Sequence, residues 1–342
     1  MGNRMNVLAA GPGGVPSPSL VPPPPQPVPP SPPSPPKPGD SPTSVLAEPS
    51  KFADNPGTFE DLHKKCKDVF PQVFEGGKLI ISKALSSHFQ ISHTLSMSTF
   101  QPSGYRFGAT YVGSKQFSPQ EGFPILVGDL DPSGNLNANM VHQFTENIRS
   151  KFVTQIQDGK WMVSQLTTDY KGTDFTGSLT IGNPDIVKES GILVAHYLQS
   201  VRPNLALGAE LLYQYGQQIP GGELAVFSLA GRLSGDDWQF STNISPSVGG
   251  LHACYYHKIN NEMQVGVELE TSLRMQESLA TVGYQIDLPS ANLVFRGQVD
   301  TNWCISAMLE KKLQPLPFTL ALSAYANQVK SQFRFGIGLI VG

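Results

Sequence analysis

The chain has 342 residues, a net charge of −3 and only 15% charged residues, with 39% hydrophobic content. Soluble domains carry roughly a quarter charged residues, so low charge without high hydropathy argues against an ordinary soluble enzyme. It suits a wall whose strands face lipid on one side and water on the other. The acidic balance disfavours nucleic acid as a partner. No apolar run approaches the length of a transmembrane helix. No charged-then-apolar leader stands at the N-terminus, so secretion is disfavoured.

Residues 1–54 read as a proline-rich arm with 17 prolines between Pro12 and Pro49. Such a segment cannot bury a core and samples extended polyproline geometry. It is expected to be a disordered, solvated tail, with docking to a proline-reading module as the alternative.

Residues 55–77 form a second unit, a helix and its linker. Thr58 and Asp61 make an approximate capping box. Phe59, Leu62, Cys66, Val69 and Phe70 then fall near helical spacing, opposite His63, Lys64, Lys65 and Lys67, and Pro71 ends the pattern. The apolar stripe fits a helix on a core or one lying inside a barrel lumen.

From Lys78 to Gly342 the period changes to two, and nineteen candidate strands follow one another between Gly, Pro, Asn, Asp and Ser. In 203–214, Leu205, Leu207, Ala209, Leu211 and Tyr213 oppose Ala206, Gly208, Glu210 and Gln214. In 262–273, Val265, Val267 and Leu269 oppose Gln264, Gly266, Glu268 and Glu270. Short alternating strands also fit a soluble sandwich. The uninterrupted run favours a membrane barrel, as does a strand length near the 9–11 residues or so that cross a bilayer at a tilt. Tyr111, Tyr170, Tyr255, Tyr256 and Trp303 are expected in an interfacial girdle. In the last strand Phe333, Phe335, Ile337, Leu339 and Val341 oppose Arg334, Gly336 and Gly338. A strand of this kind is expected to close a ring and so remove both sheet edges.

No catalytic constellation is visible, and no cofactor is expected. The seven histidines lack metal-ligand spacing, and Cys66, Cys254 and Cys304 are read as unpaired thiols. The chain is therefore read as a non-enzyme whose working chemistry is electrostatic. By strand parity Glu210, Glu268, Glu270 and Glu310 face the lumen, where carboxylates attract cations. Basic, acid-poor targeting peptides would make weak, repeated contacts there. The plainer expectation is that these carboxylates pair with Arg296, Lys312 or the inner helix.

Several segments resemble the channel-forming subunit of the translocase of the outer mitochondrial membrane, within the mitochondrial porin superfamily. They include Asn55-Pro-Gly-Thr-Phe-Glu-Asp-Leu-His-Lys-Lys-Cys66, Leu85-Ser-Ser-His-Phe-Gln-Ile-Ser-His-Thr94, Gly191-Ile-Leu-Val-Ala-His-Tyr-Leu-Gln-Ser200 and Tyr255-Tyr-His-Lys258. The resemblance runs from about residue 55 to the C-terminus. It implies an all-β fold: a 19-stranded transmembrane barrel of the outer mitochondrial membrane with a parallel first–last pair and an N-terminal helix in the lumen. It implies passage of unfolded precursor proteins, with a metabolite or ion porin as the alternative function. Implied partners are precursors, a receptor subunit, small single-helix subunits, the lipid bilayer and a second barrel. The family's insertion signal matches Arg334, Gly336, Leu339 and Val341.

Overall fold

The computed structural model describes residues 55–99, 103–118, 121–185, 189–217, 219 and 221–342. The proline-rich arm lies outside them. Alternating side chains make each strand two-faced, and nineteen strands meet edge to edge in one closed sheet. In chain order they are β1 (Gly76–Ala84), β2 (Phe89–Met97), β3 (Gly104–Ser118), β4 (Glu121–Leu130), β5 (Leu136–Gln143), β6 (Ile148–Gln157) and β7 (Lys160–Lys171). Next come β8 (Phe175–Asp185), β9 (Ser190–Arg202), β10 (Leu205–Tyr215), β11 (Glu223–Ser234), β12 (Trp238–Ser245) and β13 (Gly250–Lys258). The last are β14 (Met263–Ser272), β15 (Glu277–Leu288), β16 (Leu293–Asp300), β17 (Cys304–Lys312), β18 (Phe318–Asn327) and β19 (Gln332–Val341).

Every sequence neighbour pairs antiparallel, and β1 closes the ring on β19 in parallel, from Gly76 opposite Gly336 to Ile81 opposite Val341. An odd strand number forces one parallel pair when all the others alternate. Closure satisfies every backbone edge, the condition for crossing a bilayer with strands.

The two faces differ in chemistry. Outward positions carry large apolar side chains that remain exposed, such as Leu207, Phe227, Val282, Ile305, Leu322 and Phe335. Contiguous exposure of this kind is a lipid-facing wall, since soluble monomers rarely present large apolar patches. Inward positions are small or polar and bond to one another across strands. The Thr167 and Thr180 hydroxyls are 2.9 Å apart, and those of Ser228 and Ser245 2.7 Å. Tyr111, Tyr170 and Tyr255 project outward and are exposed, and Trp303 is exposed in the turn before β17. Tyr256 corrects the expected girdle. Successive strand residues cannot share a face, so Tyr256 points inward and donates to Gln264 Oε1 at 3.0 Å.

The inner segment also departs from expectation. Its α-helix, α1, covers only Lys64–Lys67. Before it, Asp61 and Leu62 bond to carbonyls three residues back. The Leu62 carbonyl, which a continuing helix would offer to Cys66, instead accepts a bond from Gln239 Nε2 of β12 at 3.0 Å. Thr58 Oγ1 donates to Asp61 Oδ2 at 2.6 Å rather than receiving a backbone N–H. The wall therefore competes with the helix for its own hydrogen bonds.

Candidate functional site: the barrel lumen

The segment before β1 crosses the lumen from β7–β8 to β18–β19, touching strand after strand. Asn55 anchors the start. Its side-chain amide donates to the Gly172 and Phe175 carbonyls at 2.8 and 3.1 Å, and its oxygen accepts from the Gly57 amide and the Thr176 hydroxyl. Phe59 stacks on His196 of β9, centroids 4.5 Å apart. Leu62 and Val69 are fully buried against the wall. Cys66 Sγ donates toward the Tyr255 and Val267 carbonyls at 3.6 and 3.5 Å.

Glycines open space where the segment lies closest. A Cβ at Gly266 would sit 3.1 Å from Cys66 Sγ, one at Gly283 would collide with the Phe70 ring, and one at Gly336 with Phe74. These three contacts also fix which face of β14, β15 and β19 is inward.

Inward parity holds for Glu210, Glu268, Glu270 and Glu310, but their surroundings differ. Glu210 is bonded to His196 Nε2 at 2.9 Å and approached by the Ser228 hydroxyl. Glu268 meets His252 Nε2 at 2.6 Å and Lys67 of α1 at 3.8 Å, leaving its side chain 15% exposed. Glu310 receives Arg296 at 3.2 Å. Glu270, 56% exposed, has His252 at 3.8 Å as its ion-pair partner among the described residues. The four are not one patch: Glu268 and Glu270 share β14, while Glu210 and Glu310 stand on β10 and β17. Lys151 of β6 pairs with Glu60 of the segment at 3.7 Å.

Sequence spacing hid one constellation. His63 lies against His252 with ring centroids 4.2 Å apart, and a ring nitrogen of each lies within 4.8 Å of Cys254 Sγ. About 190 residues separate its members, so no spacing rule reaches it; inward parity on β13, together with the segment's path, is the signal that could have found it. His63 is held neutral: burial first, then the nearby His252 and Lys67, lower its pKa from 6.5 to about 3.

Of the residues that match the expected insertion signal, Arg334 and Gly336 face inward, while Leu339 and Val341 alternate to the lipid side. Arg334 lies over the Tyr325 ring at 5.5 Å.

The comparisons accord with this architecture. A family model described as eukaryotic porin matches residues 55–336. The chain is 52% identical over 346 residues to "Mitochondrial import receptor subunit TOM40 homolog" of Xenopus laevis, covering 100% of both chains. It is 54% identical over 288 residues to "Mitochondrial import receptor subunit TOM40 homolog 2" of Drosophila melanogaster, covering 84% of each. The human "Mitochondrial import receptor subunit TOM40B" is 48% identical over 288 residues, covering 84% of this chain and 92% of that one.

Proposed function

The chain belongs to the eukaryotic porin family, among the mitochondrial import receptor subunits of the TOM40 group, and from that membership we propose its function. It is the protein-conducting channel of the outer mitochondrial membrane, passing unfolded precursor proteins as the pore of a multi-subunit translocase. The observation that carries this reading is the identity of about half its residues with import subunits, over a stretch that includes the whole barrel.

The geometry fits the task. Rings of about 16–18 strands already enclose an aqueous channel, and nineteen strands close here. An unfolded chain needs many weak contacts, since a conducting site must release what it binds. Glu210, Glu268, Glu270 and Glu310 stand on three strands of the lumen, and each already has a partner, Glu270 the most distant one, so an incoming cation must compete for them. Basic presequences meet this interrupted track and pass along it. The outward apolar wall would seat lipid, small single-helix subunits and a receptor subunit joining two barrels.

The test is conductance of the purified protein in a planar bilayer. The expected result is cation preference, with voltage-dependent block by a basic presequence peptide and relief of block in the combined Glu→Gln variant at 210, 268, 270 and 310. Anion preference without peptide block would instead identify a metabolite porin.

A further inference from the structure

Donor atoms from three elements converge inside the lumen. The segment entering α1 supplies His63, β13 supplies His252 and Cys254, and β14 supplies Glu268. His252 Nε2 is 3.4 Å from Cys254 Sγ and 2.6 Å from Glu268 Oε1, and Sγ lies 3.9 Å from that same oxygen. One nitrogen of His63 joins His252 and Cys254 in a group whose ligand atoms lie within 4.8 Å of one another, and Glu268 adjoins that group through His252 and Cys254. A tetrahedral zinc ion with bonds of about 2.0–2.3 Å holds its donors roughly 3.2–3.8 Å apart. Shifts of about 1 Å would bring the His63, His252 and Cys254 donors to that geometry, with Glu268 beside them as the fourth.

His63 supplies the second observation. Ser241 Oγ holds its Nδ1 at 2.8 Å, while its Nε2 is buried and has no hydrogen-bond partner. A buried polar atom left unmatched costs stability unless something fills the place. A ring whose Nδ1 is already held by a hydroxyl and whose buried Nε2 is unmatched presents the second nitrogen as metal-binding histidines do. Two imidazoles, a thiolate and a carboxylate select a borderline cation over magnesium or calcium, which prefer oxygen donors.

We propose that His63, His252 and Cys254, with Glu268 as fourth ligand, form a binding site for a zinc-type divalent cation that pins the lumen segment to β13 and β14. On binding, Cys254 releases its thiol proton to solvent and coordinates as the thiolate, while both imidazoles bind neutral. Cys66 is not a ligand; its sulfur is directed to the Tyr255 and Val267 carbonyls. The inner segment then has two states of attachment, one held by packing alone and one by packing plus a metal bridge.

The test uses the full-length protein in detergent, stripped by chelator and titrated with cobalt(II) as the spectroscopic stand-in for zinc. The expected result is one equivalent bound per chain, with the intense visible bands of a tetrahedral site and a near-ultraviolet thiolate-to-cobalt transition. Added zinc should remove both. Cys254→Ser should abolish the thiolate transition, and His63→Asn should weaken binding about tenfold or more. Cys304→Ser, on β17, should bind as the parent does. A parent spectrum without the thiolate transition would overturn the proposal whatever the variants do. So would a transition that survives Cys254→Ser, or binding indifferent to His63→Asn in a variant that keeps the parent's far-ultraviolet spectrum.

Discussion

Arg334 of the last strand reaches Glu75, the residue immediately before the first strand, with Nε 3.9 Å from Oε2. Beside it the Phe74 ring covers Gly336, and the Phe74 amide donates to Ser323 Oγ at 3.0 Å. The parallel seam between β1 and β19 is thus stitched from inside by the two residues that deliver the chain into β1. Arg334 and Gly336, two of the four residues that match the expected insertion signal, take part in that stitch.

Gly336 has no room for a side chain, because a Cβ would overlap the Phe74 backbone and ring. Gly336→Val should therefore destabilise the closed barrel by about 1–3 kcal/mol through overpacking at the seam. Heat-modifiable mobility on gels should show the closed form lost at lower temperature than in the parent. A variant with the parent's melting behaviour would mean that Phe74 moves aside freely.

Leu62 is 0% exposed although it belongs to a lumen segment with little helix of its own. Packing against the wall, not helix propensity, holds the segment, as short helices are marginal alone. Leu62→Ala should cost the local structure about 2–5 kcal/mol. Amide exchange across Phe59–Phe70 should then accelerate more than tenfold while the strands keep their protection. Equal acceleration in the strands would show that the segment and the barrel unfold as one unit.

Strand number and facing were legible because period-two alternation is a local signal: Glu268 and Gly266 fall on one face whatever lies beside them. The parallel seam followed from odd parity. The extent of α1 was not legible, because Gln239, 177 residues away, takes the carbonyl the helix needed. Tyr256 was misplaced for a simpler reason, since it adjoins Tyr255 and one of any two neighbours must face inward. Pairing of the lumen carboxylates and convergence of His63 on His252 depend on the path of residues 55–75 across the pore. No local pattern encodes that path.

Asn55 makes four hydrogen bonds where the segment enters the lumen, two to β7–β8 carbonyls and one with Thr176. Asn55→Ala removes the donors and leaves Thr176, itself fully buried, without this partner. The expected cost is about 1–3 kcal/mol, read as faster protease cleavage near residues 55–60 with an unchanged barrel. Asn55→Asp should be worse than Ala, because a carboxylate cannot donate to the two carbonyls and would face them with like partial charge.

The lumen carboxylates should respond to substitution in opposite directions, depending on their neighbours. Glu270 is the most exposed of the four, so a lysine or arginine of a passing peptide can meet it without displacing a stronger partner. Glu310 is engaged by Arg296 at 3.2 Å, and Arg296 also donates to Gln285. Glu270→Gln should weaken block by a basic peptide, whereas Arg296→Gln should strengthen it by releasing Glu310. Partly exposed ion pairs contribute about 0.5–1 kcal/mol, so each change should be about two- to fivefold in the blocking constant. Both effects should shrink as salt rises, because screening shortens the reach of the carboxylates. Block that falls in both variants, or changes in neither, would place the peptide's path away from β14 and β17.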